Sequence, residues 1–280
     1  NVFFNYVFIF GKLGAPRLEI EGAAIGTLFA RLFEFAVIVG YFFTRDSKIQ
    51  YCVQDLRMKC ISILHEYIMV SVPVFVSDGL LALGTTVVAM IMGRISKEFV
   101  SANSITFVTQ QLSTVLIQGI CHAGCIVTGH TLGKGDTRKA QEQAWTFLEL
   151  GVSIGIVAGL IILAISEPMI QAYNITDHTK NIARQLMDAM ALIIVFQSAN
   201  SILTKGVLRG GGDTKFLMVA DILFLWIVSI PLGALAGLYW HLSAFWIYVF
   251  LKIDQVIKAI WCVFRLKSGK WIKTIKGSKK

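Results

Sequence analysis

An all-α polytopic membrane fold is what this chain predicts, and three observations lead there. Of its 280 residues 55% are hydrophobic and only 15% charged, where a soluble domain carries about 25% charged residues. Several apolar runs are long enough to cross a hydrocarbon core about 30 Å thick, which takes about 20 helical residues. None of these runs alternates polar and apolar residues. Lipid offers the backbone no hydrogen-bond partners, so a span is either a helix or a closed-barrel strand, and the missing alternation leaves helices.

Along the chain, residue 1 is Asn and the first apolar run, Val2 to Phe10, covers about half a span. The chain therefore reads as the later part of something longer, with no signal-peptide pattern at its start. Six full spans are predicted: Gly22–Phe43, Tyr67–Met92, Asn103–Val127, Trp145–Ile165, Met187–Leu208 and Phe216–Leu238. A seventh, Leu242–Phe264, has the length but is interrupted by Lys252, Asp254 and Lys258. These three, with Asp188 and Asp221, are expected near span ends, solvated, snorkelling or paired locally. Gly151, Gly155 and Gly159 make a small-residue ridge that lets another helix approach closely. Pro73 stands near one end of its helix, where a missing N–H costs little. Arg31 and Glu34, at i and i+3, are expected to form an ion pair.

The net charge of +9 reads as topology. Lys and Arg gather in alternate loops and at the C-terminus by roughly three to one, which puts the C-terminus inside. Both glycine-rich turns, at Gly133–Thr137 and Lys205–Lys215, then face the cytoplasm, and Tyr239, Trp240 and His241 lie at the outer interface. No aromatic residues interleave with the basic ones as in a nucleic-acid binder, so no nucleic-acid partner is predicted.

The stretch Gly129 to Gly135 superficially resembles a phosphate loop. It is too short between its glycines, has Gly135 where a Ser or Thr would hold magnesium, and follows a membrane helix rather than a strand. The residues Gly135, Arg209, Gly210, Gly211 and Gly212 are read instead as tight turns, with Asp136 and Asp213 capping the helices that follow. Five scattered cysteines make no disulfide framework. Cys121 and Cys125 share a helix face as small apolar groups, and no metal site is predicted. With no nucleophile–base pair or paired carboxylates evident, no enzymatic activity is predicted.

Four segments carry a family resemblance: Phe10 to Arg17 with Glu21 to Ala24; Val72-Pro73-Val74 with Ala82 to Thr86; Met92-Gly93-Arg94 with Ala102 to Ile105; and Gly206 to Thr214. Together they resemble the multidrug and toxic compound extrusion (MATE) family, with spacing that fits helices five to twelve of a twelve-helix transporter. The resemblance implies a MATE-like fold of two six-helix lobes around a central cavity. It also implies alternating-access antiport of amphipathic, cationic compounds, driven by a proton or sodium gradient with no other cofactor. The domain organisation then expected is a remnant of the N-terminal lobe at 1–45, a cytoplasmic linker at 46–66, a complete C-terminal six-helix lobe at 67–265 and a basic cytoplasmic tail at 266–280. The implied partners are the lipid bilayer, a small-molecule substrate and the missing N-terminal lobe. The implied setting is a monomer in a bacterial inner membrane, with the C-terminus cytoplasmic. The alternative within the superfamily is a lipid-linked oligosaccharide flippase. It calls for several intramembrane cations to hold a diphosphate, and the spans offer mainly Arg31, Lys205 and Lys252. A membrane-embedded enzyme would need clustered His, Asp or Glu at one membrane face.

The candidate ion-binding residue is Asp78, roughly 16 Å along its helix from Tyr67 at 1.5 Å per residue and so near the midplane. An acid there costs about 3 kcal/mol, which favours protonation, a cationic partner or a wet cavity. One type of family member places an acid one turn later, where this chain has Leu81, and a second where it has Ser198. The C-terminal lobe therefore lacks that carboxylate pair. The candidate substrate-binding amides are Gln111 with Gln118, and Gln197 with Asn200, each pair on one helix face.

Overall fold

In a computed structural model the described residues are 1–12, 14, 18–45 and 61–272. Cys52, Cys60, most of the expected linker and the lysines beyond residue 272 lie outside them. The chain divides into two compact units, Asn1–Ile63 and Leu64–Lys280. The described residues contain helices and turns but no strand.

The first unit is a helical hairpin of α1 (Val2–Phe10) and α2 (Glu19–Arg45). Its turn closes when Leu18 N–H donates to the Phe8 carbonyl at 3.1 Å. Gly22 and Gly26 let α2 press on the backbone of Phe8 and beside Asn5, and the rings of Phe8 and Phe29 stack at 5.6 Å. Arg31 and Glu34 form the expected pair at 2.7 Å.

The second unit contains α3 (Ile61–Ile95), whose first turn precedes the unit boundary, then α4 (Lys97–Gly133), α5 (Thr137–Gln171) and α6 (Asp177–Ser201). After α6 the chain widens into a π-helix at Ile202–Leu208. It then turns into α7 (Thr214–Asp221), a π-helix (Ile222–Ser229), α8 (Ile230–Ala234) and a further π-helix (Leu235–Tyr239). The last elements are α9 (Ala244–Leu251) and α10 (Ile253–Lys267). Among the described residues six helices are long and apolar enough to cross a membrane: Glu19–Thr44, Tyr67–Ile95, Ser113–Gly133, Thr137–Gln171, Asp177–Leu208 and Thr214–Tyr239. They correspond to the six predicted spans. The seventh does not hold as one helix. It breaks at Lys252, where φ is −120° and ψ 11°, because Lys252, Asp254 and Lys258 cannot all lie on a lipid-facing helix.

The centre of the unit is α6, which packs against α4, α5, α9 and α10. Within the span Asp177–Leu208, 67% of the apolar window is buried, against 28% or less in every other span. Small residues let α6 sit so deep. A β-carbon on Gly155 would fall 2.7 Å from Val195 Cα, and one on Gly159 2.7 Å from the Ala191 carbonyl oxygen, so the predicted ridge of α5 is the seam with α6. On the α4 side, Gly206 and Gly210 lie against Cys121 and Cys125.

Caps close the helices where expected: Ser96 accepts from Phe99 N–H, Asp136 from Lys139 N–H and Thr176 from Thr179 N–H. The packed structure continues past residue 265. Leu266 and Trp271 are fully buried, with Trp271 lying over Gly211 and donating Nε1–H to Gln141 at 2.7 Å.

Gly155→Ala is expected to force α5 and α6 apart and destabilise the protein by about 1–3 kcal/mol. Gly119→Ala, whose β-carbon would meet nothing within 4 Å, is expected to leave stability unchanged or slightly higher. Thermal unfolding of the purified protein checks both.

Candidate functional site

Along α4 the side chains of Gln111 and Gln118, two turns apart, both line a cavity of about 700 Å³ within the second unit. Thr85, Val88 and Met92 of α3, Phe107 and Gln110 of α4, and Gln197 of α6 complete most of its wall. Tyr248 of α9 and Lys252 at the helix break close one side. Gln197 is held in place by Gln110, whose amide donates to its Oε1 at 2.8 Å. Three of the five predicted site residues, Gln111, Gln118 and Gln197, are therefore brought together. Lys252 is the charged side chain in this lining and no carboxylate joins it. Such a wall can hydrogen-bond and stack a solute.

Asn200 belongs elsewhere. One helical turn along α6 from Gln197, it is buried and donates to Gln255 Oε1 at 2.8 Å. Gln255 in turn donates to Asp254 Oδ2 at 2.6 Å. Asp254 Oδ2 also meets the Lys258 ammonium at 3.1 Å, and Lys258 reaches Asp221 Oδ1 at 3.1 Å. Ser77 of α3 donates to Asp221 Oδ2 at 2.5 Å. Lys258 and Asp254 have side chains only 3% and 2% exposed. The expectation of solvated or snorkelling roles for Asp221, Asp254 and Lys258 is thus corrected: they form a buried ionic cluster. Removing each ion from water costs several kcal/mol, so they persist together or not at all. The i, i+4 spacing of Asp254 and Lys258 is visible in sequence. Their partner on α7 is remote in sequence and gives no local signal.

Asp78 takes the second of its three options, a cationic partner. Its Oδ1 meets Arg209 Nη2 at 3.0 Å, and its side chain is half exposed. Asp78 does not line the cavity.

The turn residues also sort differently from expectation. Gly135 and Gly212 have φ of 82° and 80°, the left-handed region where a β-carbon is disfavoured. Gly210 and Gly211 are packing positions, lying against Cys125 and Trp271. Arg209 is still helical and serves as the partner of Asp78. Asp136 caps α5, whereas the Asp213 side chain makes no cap to α7. It accepts from Arg265 Nε at 2.7 Å instead, and that guanidinium lies 4.8 Å from the Phe216 ring centre. Cys121 is buried and Cys125 half-buried, as small packing groups. Among the described residues no group of three or more His, Cys, Asp or Glu could hold a metal ion.

Membrane-length helices around an amide-lined cavity define a polytopic α-helical membrane protein with a solute-sized site. The MatE family model matches residues 73–235, more than half of the chain. The chain belongs to the MATE family. A multidrug resistance protein, MdtK of Edwardsiella ictaluri, is 25% identical over 244 residues, covering 85% of this chain and 52% of the relative. A probable multidrug resistance protein, NorM of Xylella fastidiosa, is 22% identical over 271 residues, covering 94% and 57%. Among solved structures, an outward-facing multidrug resistance MATE transporter superposes with a TM-score of 0.82 at 16% identity, over 96% of this chain and 60% of that one. The Vibrio cholerae MATE transporter VcmN in its bent form gives 0.79 at 13% identity, over 97% and 61%. The chain thus spans a little over half the length of the relatives it matches.

Lys258→Met is expected to leave Asp221 and Asp254 as uncompensated buried charges and to destabilise the fold by about 3–5 kcal/mol. The triple replacement Lys258→Met, Asp254→Asn, Asp221→Asn is expected to recover most of that loss. Thermal unfolding in detergent measures both.

Proposed function

We propose that the chain is the C-terminal lobe, with the last two helices of its partner lobe, of a secondary exporter of amphipathic compounds. The observation that carries the reading is the cavity where Gln111, Gln118 and Gln197 converge from α4 and α6. It has the size and the mixed polar and apolar wall of a small-molecule site. Family membership and the multidrug resistance relatives support the same reading. Alternating access, coupling to a proton or sodium gradient, and preference for cations belong to this proposal. So do the monomeric state, the bacterial inner membrane and the cytoplasmic C-terminus. The amides and the Phe107 ring would hold a cationic solute by dipoles and by its π face. Asp78, paired with Arg209, would contribute to the ion path. The flippase alternative is not favoured, because one lysine in the described lining gives a diphosphate too few cations.

In the complete transporter reconstituted in proteoliposomes, Gln111→Ala with Gln118→Ala is expected to weaken tetraphenylphosphonium binding by roughly five- to tenfold, the worth of about two lost hydrogen bonds. Arg138→Ala, on a pair more than half exposed, should leave binding unchanged. Equal binding in the double variant and the parent would remove the cavity from the substrate path. Asp78→Asn is expected to lower gradient-driven efflux by about tenfold or more; unchanged efflux would take Asp78 out of the ion path.

A further inference from the structure

The buried ionic cluster carries more than a structural pairing. Its two carboxylates, Asp221 and Asp254, share one ammonium, Lys258, and the Lys252 ammonium at the helix break also acts on Asp254. Both Asp221 oxygens are engaged, Oδ1 by Lys258 and Oδ2 by Ser77. Asp254 is different: Oδ2 receives Lys258 and Gln255, while Oδ1 is buried without a hydrogen-bond donor. Asn200 Oδ1, on the residue that holds Gln255, is likewise a buried acceptor without a donor. Both residues are at least nine-tenths buried. A buried acceptor left unmatched costs about 1–3 kcal/mol, and more when charged.

We propose that Asp254 is a proton-binding carboxylate of this lobe, taking up one proton on Oδ1 from water that enters through the cavity. The step forms one O–H bond and breaks none in the protein. It turns the unmatched Oδ1 acceptor into a donor, while Oδ2 keeps its bonds to Lys258 and Gln255. A metal ion fits less well, because the Lys258 ammonium already occupies the space between the carboxylates. The route is short: Lys252 lines the cavity and stands two residues before Asp254, at the break between α9 and α10. The groups that act on Asp254 are Lys252, Gln255 and Lys258 on its own segment, with Asp221 of α7 reached through Lys258 and Asn200 of α6 through Gln255. The coupling role rests on the export reading; the proton site does not.

Infrared difference spectroscopy on the complete transporter in lipid, recorded on stepwise acidification, tests the site directly. A protonated-carboxyl C=O band should appear on acidification, vanish in Asp254→Asn and shift in Asp254→Glu. The same band in Asp254→Asn overturns the assignment. Its suppression by sodium at constant pH also overturns it, in favour of a metal-ion site. Asp254→Asn, which keeps an acceptor for Lys258, is expected to retain gradient-free tetraphenylphosphonium exchange within about twofold. It should lose about tenfold or more of proton-driven efflux. Equal loss of both activities would show a structural role and overturn the coupling. If the parent protein moves no compound under either gradient, the export reading fails, and the infrared band still decides the proton site.

Discussion

One ammonium between two carboxylates sets the arrangement of the second unit. Lys258 joins α10 to α7 through Asp221. Asp221 continues to α3 through Ser77, and Asp254 continues to α6 through Gln255 and Asn200. Four helices are therefore tied at one level by side chains that cannot be separated without stranding a charge. Apolar residues of equal volume would often be as stable or more so in such a place. The cluster thus has to be understood through register and chemistry rather than through gain in stability.

Around that level the rest is close packing of small residues. On one side of α6 the glycines of α5 meet Ala191, Val195 and Ser198; beyond it, Gly206 and Gly210 meet the cysteine face of α4. Little apolar driving force acts between helices in lipid, so close approach and interhelical hydrogen bonds hold such seams. The position of α6 in turn places Gln197 where Gln110 can reach it. The cavity wall is therefore a consequence of the same glycine seams and not an independent feature.

How much of this was legible depended on the range of the signal. The six spans follow from composition and length, and the α5 ridge and the Asp136 cap follow from local spacing, so each is read within a few residues. Gln111 and Gln118 were legible as one face of one helix. The partner of Asp78 was not, because Arg209 comes from a motif whose glycines suggested only a turn. Asp221, Asp254 and Lys258 were misplaced for a related reason. Charge within an apolar run signals a span end when read locally, and burial became evident only when a third residue, from α7, completed the set. The pairing of Asp213 with Arg265, far along the chain, likewise gives no local signal.

The helix break at Lys252 is the joint between the cavity and the cluster. Breaking a helix in a membrane frees carbonyls that must find donors, and here the Ser229 hydroxyl reaches the carbonyls of Leu251 and Phe250 at 2.6 and 3.3 Å. Ser229 ends the π-helix that follows Asp221, so the segment carrying one acid of the cluster also stabilises the break beside the other. Gly233, in α8, then gives Leu251 the room it needs. The break leaves Lys252 on the cavity wall and Asp254 inside the cluster, with a single residue between them. In an environment of low effective dielectric, unit charges a few ångströms apart interact by roughly 4 kcal/mol, several times the value in bulk water. The ammonium on the cavity wall and the acid in the cluster are therefore close enough for the charge of one to act on the other.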